Sequence, residues 1–169
     1  MVHAASSKSK TELTNLDADC IQQNAVDLRL KTVRRIKPTL FVIDEESKIH
    51  RETEEVALDE EGYWFLEPGT YEITTNHIIK MGETEAGFVI TRSTLNRNGV
   101  FITSGNYDSG YNGSMAGCLH VHGGPMKIKP GTRVGQMLLW EAEALSQYNG
   151  DYGFNEDGTP KTMEQKYHK

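Results

Sequence analysis

Only two of the 169 residues are cysteine, Cys20 and Cys118, and they lie far apart in the chain. Two distant thiols make no disulfide framework, so a packed core has to hold the fold and the expected state is reduced. No run approaches the ~20 apolar residues that a membrane helix needs. The opening stretch MVHAASSKSKTELT also lacks the apolar centre of a signal peptide. The expectation is a soluble, cytoplasmic protein with no membrane partner. Positive charge is scarce as well, since 18 Lys and Arg stand against 24 Asp and Glu, a formal charge of -6. Duplex-binding proteins usually carry a basic face, so nucleic acid is not an expected partner. A nucleotide-sized site needs only a few local cations and is not opposed by overall acidity. No interval repeats.

What is present suffices for one core: 37% hydrophobic residues and 16 glycines, in a chain of ordinary single-domain length. Residues 1 to 10 are small and polar and are expected as a mobile arm, with TELTNLDADCIQQ from Thr11 as a short helix. Ala25 to Leu30 alternates apolar and polar residues, which predicts a half-buried strand. Val26, Leu28 and Leu30 would share one face, Asp27 and Arg29 the other. Lys37 to Ile43 reads as a strand, and Asp44 to Glu61 as a charged, solvated excursion. Tyr63 to Leu66, Tyr71 to Thr75 and Phe88 to Ile90 are further short apolar segments, the first two separated by the turn Glu67-Pro68-Gly69-Thr70. Many short strands with Gly and Pro between them point to an all-β distorted barrel or jelly-roll-like sandwich. The expected organisation is an arm and short helix over 1–19, a β domain over 20–145 and a flexible C-terminal arm over 146–169.

The stretch from Arg92 to Gly113, RSTLNRNGVFITSGNYDSGYNG, concentrates the chemistry. Arg92 and Arg97 offer forked donors to phosphate oxygens, Ser93 and Thr94 add hydroxyls, and Asp108 in a glycine-rich turn can polarise a water. Asp and Gly are also what turns demand, so a plain turn residue is the competing reading of Asp108. Arg92-Ser-Thr-Leu-Asn-Arg97-Asn-Gly99 and Asp108-x-Gly-Tyr-x-Gly113 resemble two blocks of the dCTP deaminase and trimeric dUTPase superfamily. Two more blocks support the resemblance, Asn24-Ala-Val-Asp-Leu-Arg-Leu30 and Pro130-Gly-Thr-Arg-Val-Gly-Gln-Met137.

That resemblance implies the dUTPase-type fold, a homotrimer with active sites shared between subunits, and a Mg²⁺ held mainly by substrate phosphates, with Asp27 acting through water. On its residues alone, Asp27 suits a solvated strand carboxylate as well. Deaminases of the superfamily use a glutamate ten positions after the turn aspartate. Here Cys118 occupies that position, and Asn112 to Thr132 contains no Asp or Glu. A thiol with a pKa near ~8.5 is a poor proton relay of that kind. Gln136 stands where dUTPases of the superfamily have glutamine. The implied reaction is therefore hydrolysis of dUTP to dUMP and pyrophosphate. Asp108 would activate the water, and Arg92, Ser93, Thr94, Arg97 and Gln136 would hold the phosphates, with Tyr111 under the deoxyribose.

The alternatives are a non-catalytic dNTP-binding regulator, a dCTP deaminase, or a pyrophosphatase for another or modified dNTP. Arg97 could equally face a subunit interface. Tyr148 and Tyr152, in YNGDY, resemble the ending of one dUTPase-like branch, whose C-terminal arm closes on the nucleotide. As residues they could also end a packed strand. His77 stands where the family has glutamate; it has no assigned role and reads by default as a surface or subunit-contact histidine. Cys118, His120 and His122 alternate along one strand face, which suits either a zinc set or packing.

Overall fold

Strand β1 (Glu12–Leu13) opens the computed structural model, which describes residues 1–150, 152–155, 158, 159 and 161. A long strand β2 (Val26–Ile36) follows, then the small hairpin β3 (Val42–Ile43) and β4 (Lys48–Ile49), β5 (Thr53–Glu55) and β6 (Trp64–Leu66). Next come β7 (Gly69–Lys80), β8 (Glu85–Thr91), the one-turn helix α1 (Ser93–Asn96) and β9 (Val100–Ser104). The chain continues through β10 (Asn112–Val121), β11 (Met126–Ile128) and β12 (Arg133–Glu141). The main sheet runs β8-β12-β2-β7-β10-β9, with β1 added to β7 and β5 to β2. Every pairing in it is antiparallel.

Side chains help bring the two edges of this sheet together. Thr91 Oγ1 accepts from the Ile102 amide at 2.7 Å, the Val89 amide donates to Ser104 Oγ at 3.1 Å, and Gly87 and Tyr107 exchange backbone hydrogen bonds. The result is the nearly closed all-β barrel that the strand punctuation predicts. Its interior holds Leu28, Leu30 and Val33 from β2, Tyr71 and Ile73 from β7, Met115 and Leu119 from β10, and Met137 and Leu139 from β12. Their alternation with half-exposed neighbours is the period-2 signature of a sheet with one face on the core. Among the described residues no helix is long and apolar enough to cross a membrane.

The segment expected as a short N-terminal helix is one 3-10 turn, Ala18–Cys20, preceded by β1 on β7. Its apolar residues are too sparse for a helical stripe, and pairing with an existing strand satisfies the backbone instead. Further back, Val2 donates to the Leu139 carbonyl. Glu85, only 2% exposed, fastens residues 9 to 11. Its carboxylate accepts from Ser9 Oγ at 2.9 Å, the Lys10 and Thr11 amides at 2.9 Å and Thr11 Oγ1 at 2.6 Å.

Burial pushes the Glu85 carboxyl upward, but the hydrogen bonds from Thr11, Lys10 and Ser9 outweigh it and hold the group below its ordinary value. Stability from such a depressed acid is complete above the unfolded value of about 4.3 and is lost as pH falls through the folded one. Amide protection at Lys10 and Thr11 is therefore expected to be full at pH 7 and to fall below about pH 4. Glu85→Gln should weaken that protection already at pH 7. Unchanged protection in both cases would exclude Glu85 as the anchor.

Candidate active site

Two groups of chemically competent side chains form at the two ends of β8. The first surrounds Asp27. β12 lies between β2 and β8, and its register sets Gln136 beside both Asp27 and Ile90. A solvated strand carboxylate is the competing reading of Asp27, and burial excludes it: the side chain is fully buried among Gln136 of β12, Arg92 just after β8 and Arg133. Its Oδ1 accepts from Gln136 Nε2 at 3.1 Å. Its Oδ2 faces Arg92 Nε at 3.3 Å and Arg133 Nη1 at 3.4 Å, without a well-formed hydrogen bond to either. Two guanidiniums against one carboxylate leave a net positive charge in an acidic protein. A register shift between Arg133 and Gly135 accompanies the placing of Arg133 here. Its presence in the cluster was not anticipated, although its alternation with Gly135 along β12 was visible.

Ser93 and Thr94 follow Arg92 directly, exposed at the start of α1, and Arg97 is exposed at its end. This end of the barrel thus brings Arg92, Arg133 and Gln136 onto Asp27, with Ser93 and Thr94 next to Arg92 in the chain. Arg97 is not tied into the buried cluster.

The second group is the turn after β9. Asp108 is exposed, with Asn106 Nδ2 on its Oδ1, and the Tyr111 amide returns to the Asp108 carbonyl at 3.0 Å. Gly110 takes φ +80°, a left-handed conformation that favours glycine. Ser109 is buried and its hydroxyl donates to the Glu85 carbonyl at 2.9 Å, which docks the turn at the start of β8. Gly110→Ala is expected to cost about 1–2 kcal/mol by chemical denaturation, since a Cβ disfavours that φ. A neutral result would show that the turn relaxes freely.

Tyr111 is 8% exposed and meets Tyr107 and Tyr148 edge-on, each with ring centroids 5.3 Å apart. Burial pushes its phenol up to about 12, with Tyr148 adding to the shift, so Tyr111 is neutral near pH 7 and cannot act as a base. The Tyr148 amide donates to the Ser109 carbonyl at 2.8 Å, and the Tyr152 amide to the Tyr148 hydroxyl at 3.1 Å. Asp108, Tyr111, Tyr148 and Tyr152 therefore assemble on one chain. The rest of the expected C-terminal arm is described only in part, since residues 151, 156–157, 160 and 162–169 lie outside the described residues.

β8 separates the two groups. It spans seven residues, Glu85–Thr91. At ~3.3 Å per residue, Ser93 lies about 20 Å from the Asp108 turn. One chain does not bring them onto one phosphate.

Beside Tyr107 and Tyr111 opens a cavity of about 580 Å³, walled by Tyr148, Phe41, His50 and Arg51 and floored by Gly117 and Cys118. The 44–61 excursion is thus more than a solvated loop. His50 and Arg51 close one side of this cavity, because β5 pairs with β2 and carries the preceding residues over the sheet. Burial pushes the Cys118 thiol up and Glu72 raises it further, so the thiol stays protonated near neutrality.

His120 is held by Thr103 Oγ1 at 2.9 Å and Thr70 Oγ1 at 3.2 Å, and its ring stacks with that of His122. Among the described residues, the one group of His, Cys, Asp or Glu ligand atoms that converges is Asp17, Asp19 and Cys20. The zinc reading of Cys118, His120 and His122 therefore has no support. His77 is not on the surface: it is fully buried, its Nδ1 2.7 Å from the Thr14 carbonyl, because β1 and the residues after it pack over β7.

A family model described as dCTP deaminase-like matches residues 1–142. A deoxyuridine 5'-triphosphate nucleotidohydrolase of Methanocaldococcus jannaschii is 30% identical over 148 residues, covering 85% of this chain and 94% of that protein. A dUMP-forming dCTP deaminase of Persephonella marina is 33% identical over 144 residues, covering 81% and 79%. Among solved structures, the dCTP deaminase of Agrobacterium tumefaciens superposes with a TM-score of 0.61 at 18% identity. That match covers 81% of this chain, which spans 45% of the deaminase chain. A dUTPase of Staphylococcus bacteriophage 80alpha superposes with a TM-score of 0.50 at 13% identity, covering 82% and 96%.

Proposed function

The chain belongs to the dCTP deaminase-like family, and within it we propose that the protein is a dUTP nucleotidohydrolase, releasing dUMP and pyrophosphate. What carries the proposal is the pair of groups at the ends of β8. One is an exposed carboxylate in a glycine turn beside tyrosines packed edge-on. The other is a net-positive cluster flanked by two hydroxyls. The deamination route has Cys118 in place of its glutamate, while the relative in Methanocaldococcus jannaschii bears the nucleotidohydrolase name.

In this reading Arg92, Ser93 and Gln136 hold the triphosphate, with Thr94 and Arg97 at its margin. Gln136 gives one amide hydrogen to Asp27 and keeps the other for a phosphate oxygen. Asp108 accepts a proton from water as its oxygen bonds to the α-phosphorus. The bond to the α,β-bridging oxygen breaks, and pyrophosphate leaves with that electron pair. The ~20 Å between the groups requires Asp108 and Tyr111 of one copy to meet Arg92, Ser93 and Gln136 of another. A homotrimer with shared sites, as the resemblance implies, meets that need. Phe88 and Ile90, 39% and 38% exposed beside Trp140 and Gln136, offer it an apolar contact surface.

Asp27 fits a magnesium ion only through water, because two guanidiniums already face its one unsatisfied oxygen. A cation would take most of its ligands from the triphosphate and would offset that charge. Magnesium binding is accordingly expected to depend on nucleotide.

A pyrophosphate-release assay over the dNTPs, run alongside ammonia detection with dCTP, tests the assignment. Turnover of dUTP without ammonia from dCTP is expected; nucleotide binding with no turnover would make the protein a regulator. Mixing Asp108→Asn with Ser93→Ala protein, after subunit exchange, should recover activity that neither has alone. If mixing restores nothing although mixed oligomers form, the shared site is wrong.

A further inference from the structure

Glu72 is the residue that sequence order hides. No carboxylate follows Asp108 within reach along the chain, but the sheet supplies one from elsewhere. β7 pairs with β10 so that Glu72 lies directly across from Cys118, and with β2 so that Arg34 flanks it on the other side. The three side chains form a row on the outer face of the sheet, where Glu72 and Cys118 line the cavity that Tyr107, Tyr111 and Tyr148 also enclose.

Arg34 does not occupy Glu72. Its Nε donates to Thr53 Oγ1 at 2.8 Å and its Nη2 to the Thr53 carbonyl at 3.3 Å, while Glu72 Oε1 stands 3.8 Å away, beyond hydrogen-bond reach. The Glu72 side chain is 43% exposed, and among the described residues its neighbours are Arg34 of this loose ion pair and the Cys118 thiol across the strand pair. A carboxylate in an aromatic-walled cavity, with its hydrogen-bonding capacity unspent, is a receptor for an N–H donor on a flat ring.

We propose that Glu72 is the base-reading residue of the site, accepting a hydrogen bond from a ring or exocyclic N–H on the pairing edge of a pyrimidine nucleotide. The proposal rests on the nucleotidohydrolase reading for the ligand's identity. The cavity begins one residue from Asp108, at Tyr107, so a nucleotide whose phosphate reaches the turn can lay its base between the tyrosines and the Glu72–Cys118 floor. Cys118, kept protonated beside Glu72, adds a weak donor and no charge. For dUTP the donor is the N3 imide hydrogen.

The test compares dUTP with N3-methyl-dUTP, which lacks that hydrogen, in the unsubstituted protein and in Glu72→Ala and Glu72→Gln. Glu72→Ala is expected to lower kcat/KM for dUTP by about 10- to 100-fold, the usual size of a lost hydrogen bond to a charged group. N3-methyl-dUTP should be hydrolysed equally by the unsubstituted protein and Glu72→Ala, and inhibition by inorganic tripolyphosphate should stay within about twofold, as the phosphate end is untouched. Glu72→Gln, which keeps an acceptor, should lie between. A parallel fall for both nucleotides, or dUTP kinetics within twofold of the unsubstituted protein, overturns the proposal. The same comparison as dissociation constants, read by tyrosine fluorescence, judges Glu72 even where no pyrophosphate appears. That absence overturns the hydrolase reading by itself.

Discussion

Asp108→Asn is expected to lower kcat for pyrophosphate release by about 10²- to 10⁴-fold, with the dissociation constant for dUTP changed by no more than a few-fold. The substitution keeps size and shape and removes only the capacity to take a proton. Asp108 is exposed and its side-chain contact is with Asn106 in the same turn, so little packing is lost. The turn itself is held by Gly110 at φ +80° and by the Ser109 hydroxyl on the Glu85 carbonyl, both independent of the substituted carboxylate. Stability should therefore remain within about 0.5 kcal/mol, as for other surface substitutions. Steady-state kinetics and an equilibrium binding titration separate the outcomes. Retention of kcat removes Asp108 from the chemistry, and loss of binding without loss of kcat assigns it to affinity alone.

Asp27→Ala has the largest expected effect on the fold. A fully buried carboxylate with an amide on one oxygen and two guanidiniums facing the other is the centre of a network, and its removal leaves the Arg92 and Arg133 guanidiniums facing the vacated site without the carboxylate they share. Breaking a buried ion pair by deleting one partner typically costs about 3–5 kcal/mol. In a chain of this size that corresponds to a fall in Tm of about 10 °C. Arg92→Ala should cost less, because Arg92 is 28% exposed and Arg133 still faces the carboxylate. Thermal unfolding of the two single variants and the double variant gives the coupling directly. Were Asp27→Ala to cost under about 1 kcal/mol, Asp27 would be behaving as a surface carboxylate despite its burial.

Much of this arrangement was legible one segment at a time. Apolar alternation located β2 and the core side of β7, and glycine and proline marked the turns between strands. The Arg92 and Asp108 blocks carried the phosphate and water reading on which the proposed function rests before any strand was placed. Expectations failed wherever a residue's surroundings come from a distant strand. Asp27 alternates as an outward residue should, but β12 buries it. Residues 9 to 11 look like a free polar arm, but a glutamate 74 to 76 positions away holds them. Arg51 and His50 read as part of a solvated charged run, and β5 folds them over a cavity instead.

By itself the amino-acid sequence determined the all-β class, the family and the residue types available for catalysis, because strand period, turn chemistry and motif order are local properties of the chain. Only the tertiary structure decided that Arg133 joins Asp27, that Glu72 stands opposite Cys118, and that Asp108 and Ser93 occupy opposite ends of β8. Those relations are set by cross-strand register, which depends on pairing between segments tens of residues apart and on which face each strand turns to the core.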